Sequence, residues 1–141
     1  MIIKRDFIYT PKGKNRKLHI WLPEDYTASM ERYPVMYFFD GHNLFSDEDA
    51  TYGKSWGMKA FLEQWGKKMI IVGIECGHDG QERLSEYLPY PAAKGSHFDK
   101  FEPLGDATMQ WILQDIKPVI DRDYRTIPFR ECTAIGGSSM G

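Results

Sequence analysis

The sequence predicts an α/β domain whose sheet starts antiparallel and continues mostly parallel. Residues 33–39 and 69–74 are apolar at consecutive positions, which is typical of strands covered on both faces. Apolar residues at helical spacing follow each of these runs, and an alternating pattern typical of a hairpin precedes them. Strands alternating with helices in this order favour a parallel sheet.

The first two strands are predicted to form a hairpin. Residues 2–10 are rich in Ile, Phe and Tyr and end at the turn signal 11–13. Residues 15–22 then alternate apolar and polar side chains, which predicts one buried and one solvated face. On this pattern His19 lies on the solvated face.

The middle of the chain predicts strand, helix, strand. Residues 33–39 form a central strand, and residues 69–74 form a second one. Between them, apolar residues at helical spacing predict a short amphipathic helix over 55–66, with Ser55 as N-cap and Gly66 as its end.

The last part of the chain predicts a long loop, a helix and a strand. Residues 75–103 are rich in Gly, Pro and charges, and loops of that length are usually functional or disordered. We interpret this one as functional. A helix from about Leu104 carries one apolar stripe, which Pro118 must kink or restart. The strand 132–135 then runs into 136–141.

Composition excludes several classes of function. The chain has 141 residues, enough for one domain over 1–141, and a formal net charge of −2, which does not favour nucleic acid as a partner. No run approaches the roughly 18 to 20 apolar residues of a membrane span, and the start lacks a secretory signal. Cys76 and Cys132 are too few for a disulfide framework. We therefore expect a cytoplasmic protein with no membrane partner.

The sharpest motif is the pentapeptide G-x-S-x-G formed by Gly137, Ser139 and Gly141 directly after an apolar strand. This motif places a serine on a strained turn, where a Cβ two residues away on either side would clash. Ser139 satisfies the spacing, whereas Ser138 is followed two residues later by Met140. The alternative is a Gly/Ser-rich disordered tail.

A second motif, Asp40-Gly41-His42-Asn43, follows the central strand. An acyl-transfer site needs two fixed N–H donors for the developing oxyanion. We assign these to the backbone amides of Met140 and His42, with Gly41 permitting a tight turn. The competing interpretation makes His42 a general base or metal ligand. Since no other His or Cys lies at ligand spacing in the sequence, we predict neither metal nor cofactor.

A third, weaker motif is the segment 82–89 in the long loop. Arg83 and Glu86 are spaced to pair and pin a substrate-facing segment, although a plain surface ion pair is the simpler interpretation. The residues that we expect to contact substrate are Asp40, Gly41, Asn43, Arg83, Glu86 and Tyr87.

These motifs together resemble the N-terminal half of the esterase D-like "putative esterase" family of α/β-hydrolases. The resemblance is carried by 33–45, by 82–89, by Tyr124-Arg125-Thr126 and by the turn 137–141. Family members include siderophore esterases, S-formylglutathione hydrolase and feruloyl esterases. The resemblance implies hydrolysis of a small-molecule ester or thioester through an acyl-serine intermediate. It places Ser139 as nucleophile and Met140 and His42 as oxyanion donors.

The resemblance also implies that an acid and a histidine follow the serine, in that order. None of the four histidines follows Ser139. We therefore expect a fragment, truncated after the nucleophile elbow and inactive by itself. Its last strand would be an open edge. That edge supports an alternative: a non-catalytic remnant or interaction module that forms a homo-oligomer, or that pairs with a missing C-terminal half.

Overall fold

The computed structural model describes residues 1–141, and its strands form one five-stranded sheet. In chain order the strands are β1 (Ile2–Tyr9), β2 (Lys14–Trp21), β3 (Val35–Phe39), β4 (Ile70–Ile74) and β5 (Thr133–Gly136). In space the order is β1-β2-β4-β3-β5. The β1–β2 and β2–β4 pairs are antiparallel, and β3 pairs in parallel with both β4 and β5. The predicted mixed sheet with an antiparallel start is confirmed.

The prediction of a solvated face on β2 was wrong. His19 and Trp21 are both buried, as are Leu18 and Ile20 on the opposite face. The reason is that both faces of β2 are covered: Leu18 and Ile20 face one apolar core, and Trp21 faces another. Trp21 packs against the loop residue Phe45, with the ring centroids 6.2 Å apart.

Two apolar cores lie on opposite faces of the sheet, and β4 contributes to both. Every residue of β4 is buried. Ile70, Val72 and Ile74 face a core of 14 buried residues that includes the long C-terminal helical segment. Ile71 faces a smaller core with Leu62 of the first helix. Alternation of side chains along the strand explains this division.

The first helix, α1 (Met58–Trp65), begins two residues later than predicted. Its N-cap is Gly57, with φ of +71°, and Gly66 ends it with φ of +73°. Ser55 lies in the preceding loop, where its amide donates to the Asp47 carboxylate over 2.8 Å. The end of this helix is confirmed, and its start is corrected.

The C-terminal helical segment is continuous. It comprises α3 (Gly105–Trp111), a π turn (Ile112–Ile116) and α4 (Lys117–Asp123). Pro118 lies in the first turn of α4, directly after the π turn. A π turn shifts the hydrogen-bond register of the helix, so the missing amide of proline is accommodated without a break.

The long segment 75–103 contains one short helix, α2 (Glu82–Tyr87). Both cysteines are free. None of the helices combines the length and apolarity needed to cross a lipid bilayer.

Candidate active site

Three strands end side by side at one edge of the sheet. In the parallel registers Phe39 is opposite Ile74, and Phe38 is opposite Gly136. The segments that follow β3, β4 and β5 therefore leave the sheet next to one another. In open α/β sheets, ligands bind outside the carboxyl ends of the strands.

The segment after β5 forms a sharp turn rather than an extended tail. Ser139 has φ of +60°, one of only two positive values at non-glycine residues in the chain. The Gly141 amide donates to the Ser138 carbonyl over 3.0 Å. A Cβ on Gly137 would lie 2.3 Å from the Gly141 carbonyl carbon, and one on Gly141 would lie 3.0 Å from Cβ of Phe39. Close backbone approach therefore requires glycine at position 137, whereas a side chain at position 141 would be crowded mainly by Phe39.

The loop after β3 is a 3-10 turn pressed against β4. Asp40, at its start, has the other positive φ, +56°. A Cβ on Gly41 would lie 2.1 Å from the carbonyl carbon of Gly73, so only glycine fits there. The turn's own hydrogen bonds use the amides of Asn43 and Leu44. The amide of His42, which precedes them, is not used by these bonds.

Asp40 and Arg83 form a bidentate ion pair. Arg83 Nε lies 2.8 Å from Oδ1 and Nη2 lies 2.8 Å from Oδ2. The Tyr87 hydroxyl donates to Oδ1 over 3.2 Å, and Arg83 Nη2 also reaches the Ser138 carbonyl at 3.4 Å. Burial disfavours ionisation of Asp40, but the bonds and charge of Arg83 outweigh it, so the pKa of Asp40 lies below its usual value.

The pairing of Arg83 with Glu86 was predicted wrongly. The Glu86 carboxylate is buried, pairs with Arg16 of β2, and accepts the Gly77 amide over 2.9 Å. A Cβ on Gly77 would lie 2.4 Å from Glu82 Oε2 and 2.7 Å from Glu86 Oε1, so glycine makes room for both side chains. With both oxygens occupied, Glu86 holds α2 against the sheet. Arg16 and Glu86 are 70 residues apart in the chain, and no local signal in the sequence links the two.

The fold also brings together residues that the sequence keeps apart. His42, Cys76 and His78 present potential ligand atoms that all lie within 4.8 Å of one another. The two imidazole rings meet edge to face at 4.6 Å. The expectation that His42 has no His or Cys partner at ligand spacing is therefore wrong in three dimensions, because the end of β4 lies beside the end of β3.

Burial and neighbouring charges shift the pKa values of the groups in and around this cluster in different directions. Burial, and then the neighbouring His78, lower the pKa of His42. Burial, and then the charge of Asp40, raise the pKa of Cys76 to about 12. Glu75 is buried enough to disfavour its charge, but bonds from His19 and His78 hold its pKa below the usual value. His19, expected at the surface, lies 2.6 Å from Glu75 Oε1.

Two cavities flank the turn at Ser139. One, of about 440 Å³, is lined by Ser139 together with Asp40, His42, Asn43, Arg83 and Trp56. The other, of about 380 Å³, is lined by Met140 together with Phe39, Glu86, Tyr87, Tyr90 and Met109. The structure therefore brings the sequence-predicted residues to one edge of the sheet, with Gly41 packed beneath them. Sequence reasoning missed Thr51, Cys76 and His78, which line the first cavity and belong to no motif.

The sheet order, its flanking helices and the loops at its carboxyl edge define an α/β-hydrolase-like fold. An IroE-like serine hydrolase from Shewanella oneidensis superimposes with a TM-score of 0.75 at 23% identity, covering 100% of this chain and 43% of that one. The BES protein from Bacillus cereus superimposes with a TM-score of 0.71 at 20% identity, covering 99% of this chain and 52% of that one. These likenesses show the fold.

The family follows from the sequence comparison. The family model described as "Putative esterase" matches residues 11–141. The chain belongs to this family. It is 28% identical over 131 residues to the uncharacterized protein YbbA of Bacillus subtilis, covering 92% of this chain and 49% of that one. It is 27% identical over 131 residues to esterase Rv1288 of Mycobacterium tuberculosis, covering 92% and 25%. The chain thus spans about half the length of the first relative and a quarter of the second.

Proposed function

We propose that this chain carries the nucleophile and the oxyanion-binding amides of a serine carboxylic-ester hydrolase. The observation that carries the proposal is the conformation of Ser139. A non-glycine residue with positive φ costs about 1–2 kcal/mol and persists where the surroundings impose it, which is characteristic of functional sites. Here Ser139 lies between two glycines whose backbones are closely packed.

In this proposal Ser139 attacks the ester carbonyl. Its hydroxyl oxygen bonds to the carbonyl carbon, its proton passes to a general base, and the alcohol leaves as the tetrahedral intermediate collapses to an acyl-serine. Water then releases the acid. Ser139 lines the larger of the two cavities, so the reacting carbon has an approach from solvent.

The amides of Met140 and His42 are the proposed oxyanion donors. The hydrogen bond of the serine turn uses the amide of Gly141, and those of the β3 loop use Asn43 and Leu44, so neither proposed donor is consumed by its own turn. Arg83 supports this arrangement, because it holds Asp40 of one loop and the Ser138 carbonyl of the other. Fixed donors of this kind stabilise the developing charge without reorganisation.

The general base is a separate element of the proposal. A serine hydroxyl at neutral pH is a weak nucleophile without one. Following the family resemblance, we propose that an acid and a histidine beyond residue 141 complete the triad in the full-length protein. Residues 1–141 alone would then be inactive.

The substrate proposed is a small-molecule ester or thioester. The cavity beside Met140 is lined largely by aromatic and apolar side chains, which suits an apolar acyl or alcohol group. Solved structures that share this fold include the enterobactin esterase FES of Shigella flexneri and a ferulic acid esterase. We propose Asp40, Arg83 and Glu86 as positioning residues rather than direct substrate contacts, because their charged groups are engaged with protein partners.

Turnover of p-nitrophenyl acetate by the full-length protein tests this function. We expect Ser139→Ala to lower kcat by at least a thousandfold. The matched control is Ser138→Ala, which keeps the carbonyl that Arg83 contacts and should lower kcat less than tenfold. Diisopropyl fluorophosphate should label Ser139, as read by peptide mass spectrometry. Full activity of Ser139→Ala, or labelling at another residue, contradicts the proposal.

A second candidate function is association through the outer edge of β5. This strand pairs only with β3, and Ile135 of β5 and Leu113 beside it are half exposed over a small apolar cavity. An edge strand with unpaired backbone N–H and C=O groups can pair with a strand of another chain. Light scattering on residues 1–141 should then show an oligomer, and the substitution Ile135→Lys should dissociate it. A monomer at all concentrations contradicts this candidate.

A further inference from the structure

The cluster of His42, Cys76 and His78 lies in the cavity beside Ser139, and the proposed ester hydrolysis does not use its side chains. Two imidazoles and a thiol converge with all ligand atoms within 4.8 Å. The residues come from the segments that follow two neighbouring strands, β3 and β4, so the order of the strands in the sheet brings them together.

One ring nitrogen of each histidine in the cluster lies within hydrogen-bond distance of a side-chain oxygen, which orients the ring. His42 Nε2 lies 2.9 Å from the Thr51 hydroxyl, which leaves Nδ1 buried with no hydrogen-bond partner. His78 Nε2 lies 3.2 Å from Glu75 Oε2, and His19 holds the other oxygen of Glu75 at 2.6 Å. Histidines that ligate metals usually hold an oxygen with the second ring nitrogen in this way.

We propose that His42, Cys76 and His78 bind one Zn²⁺ or a similar borderline transition-metal ion. Imidazole nitrogen with thiolate sulfur is a donor set for zinc rather than for magnesium or calcium. Zinc ligands in a tetrahedron lie about 3.5 Å apart, so the cluster must close by about 1 Å. His78 is the exposed member of the cluster, and its contact of 3.2 Å with Glu75 is long enough for its ring to make that movement.

Three protein ligands leave the fourth position of the ion open. That position faces the cavity of about 440 Å³ that also holds Ser139, which gives the ion an entry path and room for a water molecule. As the sulfur–metal bond forms, the Cys76 thiol releases its proton to solvent. This inference does not rest on the proposed hydrolase activity.

Isothermal titration calorimetry with Zn²⁺ on the purified protein tests the site. We expect one ion per chain and at least tenfold weaker binding in Cys76→Ser and in His78→Gln. The matched controls are Cys132→Ser and His97→Gln, which lie outside the cluster and should bind as the parent protein does. Mg²⁺ should give no binding heat at the same concentrations.

Absorption spectroscopy with Co²⁺ provides a second, independent measurement. Cobalt in this site should give a thiolate-to-metal charge-transfer band that Cys76→Ser abolishes and Cys132→Ser retains. If circular dichroism shows that Cys76→Ser does not fold, Zn²⁺ binding by His78→Gln tests the proposal instead, because His78 is exposed. Binding that survives in His78→Gln, or that the two control variants weaken equally, overturns the proposal, as does the absence of Zn²⁺ binding.

Discussion

Arg83 binds the Asp40 carboxylate through two parallel hydrogen bonds, Nε to Oδ1 and Nη2 to Oδ2, each 2.8 Å long. Asp40 is buried and has a left-handed backbone, and Arg83 is about one-third exposed. The pair joins α2 to the loop after β3, and through the Ser138 carbonyl it reaches the serine turn. One ion pair therefore ties together the segments that form the candidate site.

Loss of this pair should destabilise the protein. Asp40→Asn at pH 7 is expected to lower the free energy of unfolding by about 2 kcal/mol, at the low end for a buried charge pair because Arg83 is partly solvated. Urea denaturation followed by tryptophan fluorescence measures this difference. An unchanged unfolding midpoint would mean that the pair contributes nothing net.

The same pair predicts an acid dependence. Since the pKa of Asp40 lies lower in the folded protein than its ordinary value of 3.8, the stability it adds is fully present well above pH 4 and is lost as pH falls through the folded pKa. The difference in stability between the parent protein and Asp40→Asn should therefore shrink below about pH 4. A difference that stays constant down to pH 2 contradicts this linkage.

The buried ion pair between Arg16 and Glu86 should behave differently when it is broken and when it is replaced. Glu86→Ala leaves a buried guanidinium without its partner, so a loss of about 3–5 kcal/mol is expected by urea denaturation. The double variant Arg16→Met with Glu86→Leu should recover much of that loss. Lys54→Ala, which removes an exposed pair with Asp47, is the control and should cost under about 1 kcal/mol.

Gly41 should tolerate no side chain. Its Cβ would lie 2.1 Å from backbone of β4, so Gly41→Ala is expected to cost about 3 kcal/mol or more, because neither backbone segment is free to move. Gly53→Ala is the matched control: Gly53 has positive φ but open space around it, and the substitution should cost about 1 kcal/mol. Equal losses in thermal unfolding would refute the packing argument.

The role of His42 separates two mechanisms. If it acts through its main-chain amide, His42→Gln in the full-length protein should lower kcat for p-nitrophenyl acetate by no more than about tenfold, through loss of the bond to Thr51 that holds the loop. If its imidazole were the general base, the loss would approach that of Ser139→Ala. A thousandfold drop in kcat would assign the imidazole to catalysis.

Local pattern was sufficient for much of the fold. The consecutive apolar runs at β3 and β4 predicted doubly covered strands because burial on both faces removes the alternation. The same reasoning failed for β2, whose alternating sequence includes His19. That histidine is buried because Glu75, 56 residues away, supplies a partner for it. A local pattern carries no information about such a partner.

The features of the candidate site are also of two kinds, those that a local pattern predicts and those that it does not. The spacing of glycines around Ser139 and the order of residues after β3 are properties of short segments, since a tight turn needs small residues at fixed offsets. The partners of Arg83 and Glu86, and the meeting of His42 with Cys76 and His78, arise from strand order. The strand order places side by side strand ends that are about 35 to 100 residues apart in the chain. The entropy cost of closing such long loops grows only slowly with their length, so it does not determine which strands become neighbours. Packing of the apolar cores determines that.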